Sequence, residues 1–327
     1  MLLDGVPVSK MATRTAPAMN MDLLHWYGLS GRKLPWRTST DPYQILISEV
    51  MLQQTQVERV IPAYHRFLDS FPTIRHLAAA SPRQVIQSWQ GLGYYRRAVR
   101  LHKLSQIIVS DMNGEIPSNF HELIKLPGIG QYTASAIACF AFSHQIPAID
   151  VNVSRVLHRV FGQQHRSKSS LPSKDFYNLA AESIPLGSAS QWNQALMDVG
   201  SIFCKNRSPH CTECPLHNAC HHASNASQKS SSATPFVPEL KTRSRIPFRG
   251  SSRYFRGRIL HALSKLEAWE NIAIEELFDD INAEIEQESK LDRQEFHQIL
   301  LTMSVEGLIF EIKDNITTDV LAVKLPS

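Results

Sequence analysis

The sequence predicts a mainly α protein that ends in a small α/β domain, and three observations carry that reading. Apolar residues recur at helical spacing from Met21 to Phe203, while period-two alternation is nearly absent before residue 300. Residues 226–251 are rich in Ser, Ala, Pro and basic residues, the composition of a linker. Beyond it, helical patterns over Arg258–Leu266, Ile274–Ile285 and Arg293–Val305 precede two strand-like runs, Leu308–Ile312 and Val320–Val323, around an Asp314-Asn315 turn. Three helices followed by a hairpin is the element order of a winged helix, and Asp292 with Glu295 supplies a capping box for the third helix.

Length and charge divide the chain in the same way. A chain of 327 residues suits one large or two moderate domains, and 43% hydrophobic with 20% charged residues is a globular composition. No run of 18 apolar residues occurs, so no membrane span is expected. Residues 1–21 lack the apolar core of an export signal and read as a flexible tail. Residues 252–327 hold 15 Asp and Glu against 8 Lys and Arg, a net of −7, which leaves residues 1–251 at +11. The basic part is what a polyanion binder needs. The third helix of the acidic domain, beginning Arg293-Gln294-Glu295, is scarcely basic. Docking on the larger domain or on a protein partner is therefore expected of residues 252–327 rather than DNA reading.

Each helical element has a local cause. Met21–Tyr27 is a short apolar helix, and Gly31–Arg37 is a basic loop because Pro35 cannot sit inside a helix. Asp41-Pro42 opens the next helical stretch, with proline at the first helical position. Within Tyr43–Phe67, Glu49 lies among Ile47, Val50, Met51 and Leu52, either exposed at the edge of the face or buried for chemistry. Helical patterns follow at Ile74–Leu77, Val85–Trp89 and Ala98–Met112. The loop Gly91–Arg97 mixes glycine, tyrosine and arginine. Its rings either wedge into base stacks while the cations hold phosphate, or pack beneath the loop.

The central stretch runs from Leu126 to Asp150. Its two glycines, Gly128 and Gly130, allow left-handed backbone angles and close approach of another molecule. Gln131–Phe142 is then a helix with Ala134, Ile137, Ala138 and Ala141 on one face. A helix start directly after such a turn suits a phosphate, through unpaired N–H groups and the positive dipole end. Asp150 opens the next helix, Val151–Val160. An ordinary helical hairpin with an N-cap aspartate is the plainer reading of this stretch. Phe176–Ile184 and Trp192–Phe203 complete the helical region.

Four of the five cysteines fall in one short loop, Cys204, Cys211, Cys214 and Cys220, spaced C-x6-C-x2-C-x5-C. The fifth, Cys139, is expected to be a buried thiol. Without an export signal the cluster points to metal ligation rather than disulfides. Zinc sites commonly use two separated Cys-x2-Cys knuckles, and only the middle pair here has that spacing. The spacing favours an iron–sulfur cluster over zinc only modestly.

Taken together, Leu34-Pro35-Trp36-Arg37, Ser48–Val57 (SEVMLQQTQV), Gly91-Leu92-Gly93-Tyr94-Tyr95, the Leu126–Gly130 hairpin, Asn193–Asp198 and the cysteine spacing resemble the helix-hairpin-helix DNA glycosylases of the endonuclease III superfamily. The resemblance is closest to the adenine DNA glycosylase (MutY) family and covers about residues 22–225. It implies a six-helix barrel with an iron–sulfur domain, a [4Fe–4S] cluster on the four cysteines, and double-stranded DNA with a mispaired adenine as substrate. It also implies a monofunctional enzyme that flips the adenine out and hydrolyses its glycosidic bond.

The same resemblance assigns roles to residues. Glu49 would protonate the leaving adenine, and Asp150, with Asn152 beside it, would stabilise the developing sugar cation. Gln54 and Tyr94 would fill or wedge the stack. Leu126, Gly128, Gly130 and Gln131 would hold the backbone, and Arg32, Trp36, Arg37 and Gln194 would surround the base. Lyase-type relatives place a Schiff-base lysine where this chain has Tyr132, so no covalent adduct with abasic DNA is expected. Tyr132 is shared with the thymine–guanine mismatch glycosylases, which Glu49 sets apart. A monomer is expected, nucleoid-associated in a bacterium or nuclear in a eukaryote. The chain departs from the family at Val151, where glycine is usual, and residues 252–327 have neither the length nor the element order expected of the family's Nudix-like C-terminal domain that reads 8-oxoguanine.

Overall fold

In the computed structural model the described residues are 2–3, 6–162, 173–226, 248–283, 285, 290–313 and 320–326. Most of the expected linker and the Asp314-Asn315 turn lie outside them. After a short antiparallel pair, β1 (Leu2–Leu3) and β2 (Val6–Pro7), the helices run α1 (Val8–Ser30), α2 (Pro42–Leu52), α3 (Val57–Ser70), α4 (Ile74–Ala79), α5 (Pro82–Ser88) and α6 (Arg96–Asp111). They continue as α7 (Phe120–Leu123), α8 (Gln131–Phe142), α9 (Val151–Val160), α10 (Lys174–Ser183), α11 (Ala189–Ile202) and α12 (His221–Ala226). The C-terminal region adds α13 (Ser252–Lys265), β3 (Ile272–Ala273), α14 (Ile274–Ala283), α15 (Arg293–Val305), β4 (Phe310–Lys313) and β5 (Val320–Lys324). Two compact units result. One holds Met1–Ile45, Pro117–Lys125 and Ile129–Thr242; the other holds Leu46–Ile116, Leu126–Gly128 and Arg243–Ser327.

The first unit packs α1 and α8–α11 around Met19, Leu23, Val156, Leu157, Trp192 and Leu196. Helix α1 reaches back into the segment expected to be a tail. Met19 and Leu23, four residues apart, are both fully buried, and that burial is worth about 1.5–3 kcal/mol per side chain. The Asn20 amide donates to the Ser183 carbonyl at 2.8 Å and accepts from the Trp192 indole at 2.8 Å, fixing α1 to its neighbours. These contacts explain why helix persists where the sequence pattern is weak.

The second unit joins α3–α6 to the C-terminal elements. The helical stretch that opens at Pro42 divides within Tyr43–Phe67 into α2 and α3, at a turn where Gln54 takes a φ of +56°. Helix α13 begins earlier than expected because Ser251 caps it, accepting from the Tyr254 N–H. Its apolar face buries Phe255, Ile259, Leu260 and Leu263 with Leu277, Ile281, Phe296 and Leu300. The sheet order is β3-β5-β4, all antiparallel, with Ile272 opposite Val323 and Ile312 opposite Ala322. That is winged-helix order, with one strand the sequence did not reveal because β3 is only two residues long. The end of α13 docks on α5: Gln87 donates to the Ser264 carbonyl at 3.0 Å, and Arg83 donates to the Leu266 carbonyl. Helix ends leave such carbonyls without intrahelical partners, and here α5 satisfies two of them.

Candidate active site

In the second unit, Glu49 is buried, at 6% exposure, near the end of α2. The guanidinium of Arg97 holds this helix end in place. It donates to the carbonyls of Val50 at 2.8 Å and Met51 at 2.7 Å, in the last turn of α2, and to that of Gln53 at 2.7 Å just beyond it. The same side chain reaches Thr55 Oγ1 at 2.9 Å and the Gly93 carbonyl at 3.0 Å. Arg97 thus ties the Glu49 helix, the Gln54 turn and the Gly91–Tyr94 loop into one piece. Burial pushes its pKa down to about 10, which still leaves it charged at neutral pH. Tyr94 takes a φ of +48° and is 38% exposed, while Tyr95 is buried. The two readings of the tyrosine pair are therefore divided between its members: one packs and one projects.

In the hairpin only Gly128 is left-handed, with φ +84°, whereas Gly130 is extended at φ −91° and ψ 175° and serves as the N-cap of α8. The expectation of left-handed angles at both glycines is corrected to one. Gly130 instead keeps the approach open, since a Cβ there would meet nothing within 4 Å. Leu126 is buried beneath the turn, and Gln131 and Tyr132 begin α8, whose first N–H groups have no side-chain cap.

Asp150 sits at the start of α9 in the first unit and is its N-cap, so the plainer reading holds alongside any chemical one. Its Oδ1 accepts from the Val153 N–H at 2.7 Å and its Oδ2 from the Asn152 amide at 3.0 Å. Burial raises its pKa, opposed by these two donors and by Arg155. Asn152 is itself oriented by Arg155, which donates to its Oδ1 at 2.7 Å, to the Gly200 carbonyl at 2.7 Å and to the Cys204 carbonyl at 2.6 Å. Gly200 is required for this fit, because a Cβ built on it lies 2.7 Å from Asn152 Cβ. The loop before Asp150 is latched by buried Asn193, which accepts from the Ala148 N–H at 2.8 Å and donates to the Ile146 carbonyl at 3.1 Å. Val151 is 74% exposed, so its branched side chain does not crowd the carboxylate it follows.

Arg32 and Arg37 converge on Asp198, which is completely buried. Arg32 Nε lies 2.6 Å from Oδ1, and Arg37 bonds both oxygens, at 2.7 and 2.8 Å. Burial alone would raise the Asp198 carboxyl, but Arg37 and Arg32 outweigh it and hold it below the ordinary carboxylate range. The Tyr27 hydroxyl donates to Gln194 Oε1 at 2.6 Å, and Trp36 is buried in the 3-10 turn Pro35–Arg37. The sequence reading placed both arginines at the base. Both pair with Asp198, Arg32 through Nε alone, and Arg37 also donates to the Gln194 carbonyl at 3.5 Å.

Cys204, Cys211, Cys214 and Cys220 line one small cavity with Phe203, Pro209 and Ala223. Arg159 donates to Cys204 Sγ at 3.2 Å, a contact that suits a sulfur carrying negative charge. Burial, reinforced by the neighbouring thiols, pushes Cys214 up to about 12, and burial also raises Cys211 and Cys220. A cationic group in the cavity would reverse that penalty. Among the described residues, no three His, Cys, Asp or Glu side chains gather closely enough to hold a single metal ion. Cys139 is the buried thiol expected, raised to about 11 by burial.

Sequence reasoning does not single out Arg155, and it takes Asp198 only as the end of the Asn193–Asp198 motif. It reads Arg97 with the cations of the Gly91–Arg97 loop as a phosphate contact, which the structure corrects: its guanidinium is buried and spent on backbone carbonyls.

Residues 47–177 match the HhH-GPD superfamily of base excision DNA repair proteins. Among solved structures, a thermostable thymine-DNA glycosylase aligns with a TM-score of 0.61 and 28% identity, covering 65% of this chain and 98% of that one. An endonuclease III–DNA complex, at a TM-score of 0.55 and 24% identity, shares the fold. With a hairpin, a capped aspartate and a cysteine loop in their expected places, this is a helix-hairpin-helix base excision DNA repair protein. The adenine DNA glycosylase of Mycolicibacterium smegmatis is 42% identical over 197 residues, 60% of this chain and 67% of the relative. That of Mycobacterium tuberculosis is 38% identical over 249 residues, 75% and 78% of the two chains. The chain belongs to the adenine DNA glycosylase family. It spans 56% of the length of a similar enzyme from Buchnera aphidicola, 40% identical over 199 residues.

Proposed function

We propose that this chain removes adenine mispaired with 8-oxoguanine or guanine from duplex DNA, hydrolysing the glycosidic bond without a lyase step. The observation that carries the reading is the pair of carboxylates, each set differently by its surroundings. Glu49 is buried near the end of α2, at the position that the family resemblance gives to the acid for the departing purine. Asp150 receives two hydrogen bonds at a helix N-terminus, which favour the charge needed to stabilise an oxocarbenium-like sugar. Asn152 fixes one Asp150 oxygen and Arg155 fixes Asn152. Tyr132, at the start of α8, has no amine with which to form an imine. The extruded adenine leaves a gap for Gln54 and Tyr94 to fill, and the uncapped start of α8 suits a backbone phosphate.

The four cysteines would hold a [4Fe–4S] cluster, with zinc as the alternative. The thiols line one cavity, and the C-x6-C-x2-C-x5-C spacing favours a cubane modestly over a single tetrahedral ion. A bound cluster would cross-link the loop that carries the Cys204 carbonyl, and hence the seat of Arg155. Iron and acid-labile sulfide in the purified protein, at about four of each per chain, are the expected result; stoichiometric zinc would replace the cluster in this reading.

Single-turnover base release from duplexes with one A:8-oxoguanine, A:G, A:C or T:G pair tests the activity. Adenine release, fastest opposite 8-oxoguanine, is expected. Thymine release from T:G would transfer the chain to the mismatch enzymes that share Tyr132.

A further inference from the structure

The average charge of the C-terminal region conceals a sharp division. Helix α13 carries Arg253, Arg256, Arg258 and Lys265 and no acidic residue, while residues 266–327 hold 15 acidic residues against 4 basic. The helix is two-faced. Phe255, Ile259, Leu260 and Leu263 are buried, and Arg253, Arg256, Gly257 and His261 line a groove on the other side. Arg59, Arg96 and Arg100 line the same groove from α3 and α6. At about 1130 Å³ the groove exceeds the ~300–1,000 Å³ typical of a small-molecule site, which favours an extended ligand.

Two of these cations are partly neutralised, because Arg96 and Arg256 both pair with Glu306. Among the described residues no carboxylate is paired with Arg59, Arg100 or Arg253, so the groove keeps an excess of positive charge. Arg253 has a more particular setting. Its guanidinium lies over the rings of Tyr94 at 5.4 Å and Phe248 at 4.9 Å and donates to the Tyr94 hydroxyl at 2.8 Å. Both rings are exposed, as is Arg253 itself. An arginine presented between two exposed aromatic rings in a basic groove is the chemistry of nucleic-acid strand binding: cations for phosphates and flat faces for bases.

We infer that the first helix of the C-terminal domain, α13, is a DNA-contacting element, whose basic face completes a strand-binding groove with Arg59 and Arg100 and extends the contact of Tyr94. The site lies on the first helix and not on the third, whose Arg293 is paired with Glu275. The inference rests on DNA being the ligand of this chain, but not on which base is removed.

Binding to a fully paired duplex, measured across a range of salt concentrations with the full chain, tests it independently of base release. Arg253→Ala is expected to weaken binding on the order of fivefold and to lower the salt slope by about one phosphate contact, ~0.9 in log K against log[salt]. Gly257→Glu places a carboxylate in the groove and is expected to weaken binding at least as much. The thermal midpoint of each variant controls for folding, and a Cβ at 257 meets nothing within 4 Å. Arg293→Ala should bind like the parent. Unchanged affinity and slope in both Arg253→Ala and Gly257→Glu would overturn the assignment, as would a loss confined to Arg293→Ala. Loss of adenine specificity with these binding effects intact would count against the proposed activity alone.

Discussion

Replacing Glu49 by glutamine is expected to slow single-turnover adenine release by about 10²–10⁴-fold, the range of a general acid, while leaving DNA affinity and the thermal midpoint close to those of the parent. The amide fills nearly the same buried volume and can still hydrogen bond, but it has no proton to give the leaving base. Asp150→Asn should match or exceed this loss for a different reason. The substituted amide loses the charge and puts an NH2 group where one carboxylate oxygen now accepts, so it faces either the Val153 N–H or the Asn152 amide donor to donor. The pH profile carries the same assignment. Asp150 must be ionised to act, and burial raises its pKa, so the acid limb should fall at a pH above the ~3.9 of an ordinary aspartate. Release by Glu49→Gln within tenfold of the parent would place the acid elsewhere.

The parts of the fold that were legible in the sequence obey local physical rules. The bounds of α8 and α9 could be read because a glycine turn and an N-cap aspartate mark their starts, and an unbroken helical period continues from each. The winged-helix order was legible from period changes near the C-terminus. The break between α2 and α3 was not, because Gln54 adopts a left-handed conformation that its side chain does not announce and that Arg97, 43 positions away, maintains through the Gln53 carbonyl. The arginine pair at 32 and 37 was visible, but its partner Asp198 lies over 160 positions further on, and only the fold shows that the three form one buried network. The DNA-facing side of α13 was obscured for another reason. Summing charge over a whole domain averages out a helix whose charges all have one sign.

Arg97→Met should cost about 3–5 kcal/mol of stability, the range for breaking a buried charged network. Methionine fills similar space but removes the donor to the Val50 and Met51 carbonyls and leaves those of Gln53 and Gly93 only Thr55 Oγ1 and the Trp89 indole; each buried unsatisfied group costs about 1–3 kcal/mol before relaxation. Contact of the guanidinium with the faces of Trp89 and Tyr94, at 5.4 and 5.6 Å, would also be lost. Arg97→Lys should recover only part of the loss, because a single ammonium cannot reach five acceptors arranged for a planar fork. A thermal midpoint lowered by about 6–20 °C is expected for the methionine variant, taking ~2–4 °C per kcal/mol for a unit of this size. The consequence for function should exceed the consequence for folding. Gln54 and Tyr94 sit at φ values of +56° and +48°, each a conformation costing about 1–3 kcal/mol that persists only while its surroundings enforce it. Once Arg97 is gone both residues can relax, so affinity for duplex DNA should drop even at temperatures where the variant is fully folded. Titrating DNA well below the midpoint separates the two effects. Parent-like affinity there would show that the backbone at Gln54 and Tyr94 is held by something other than Arg97.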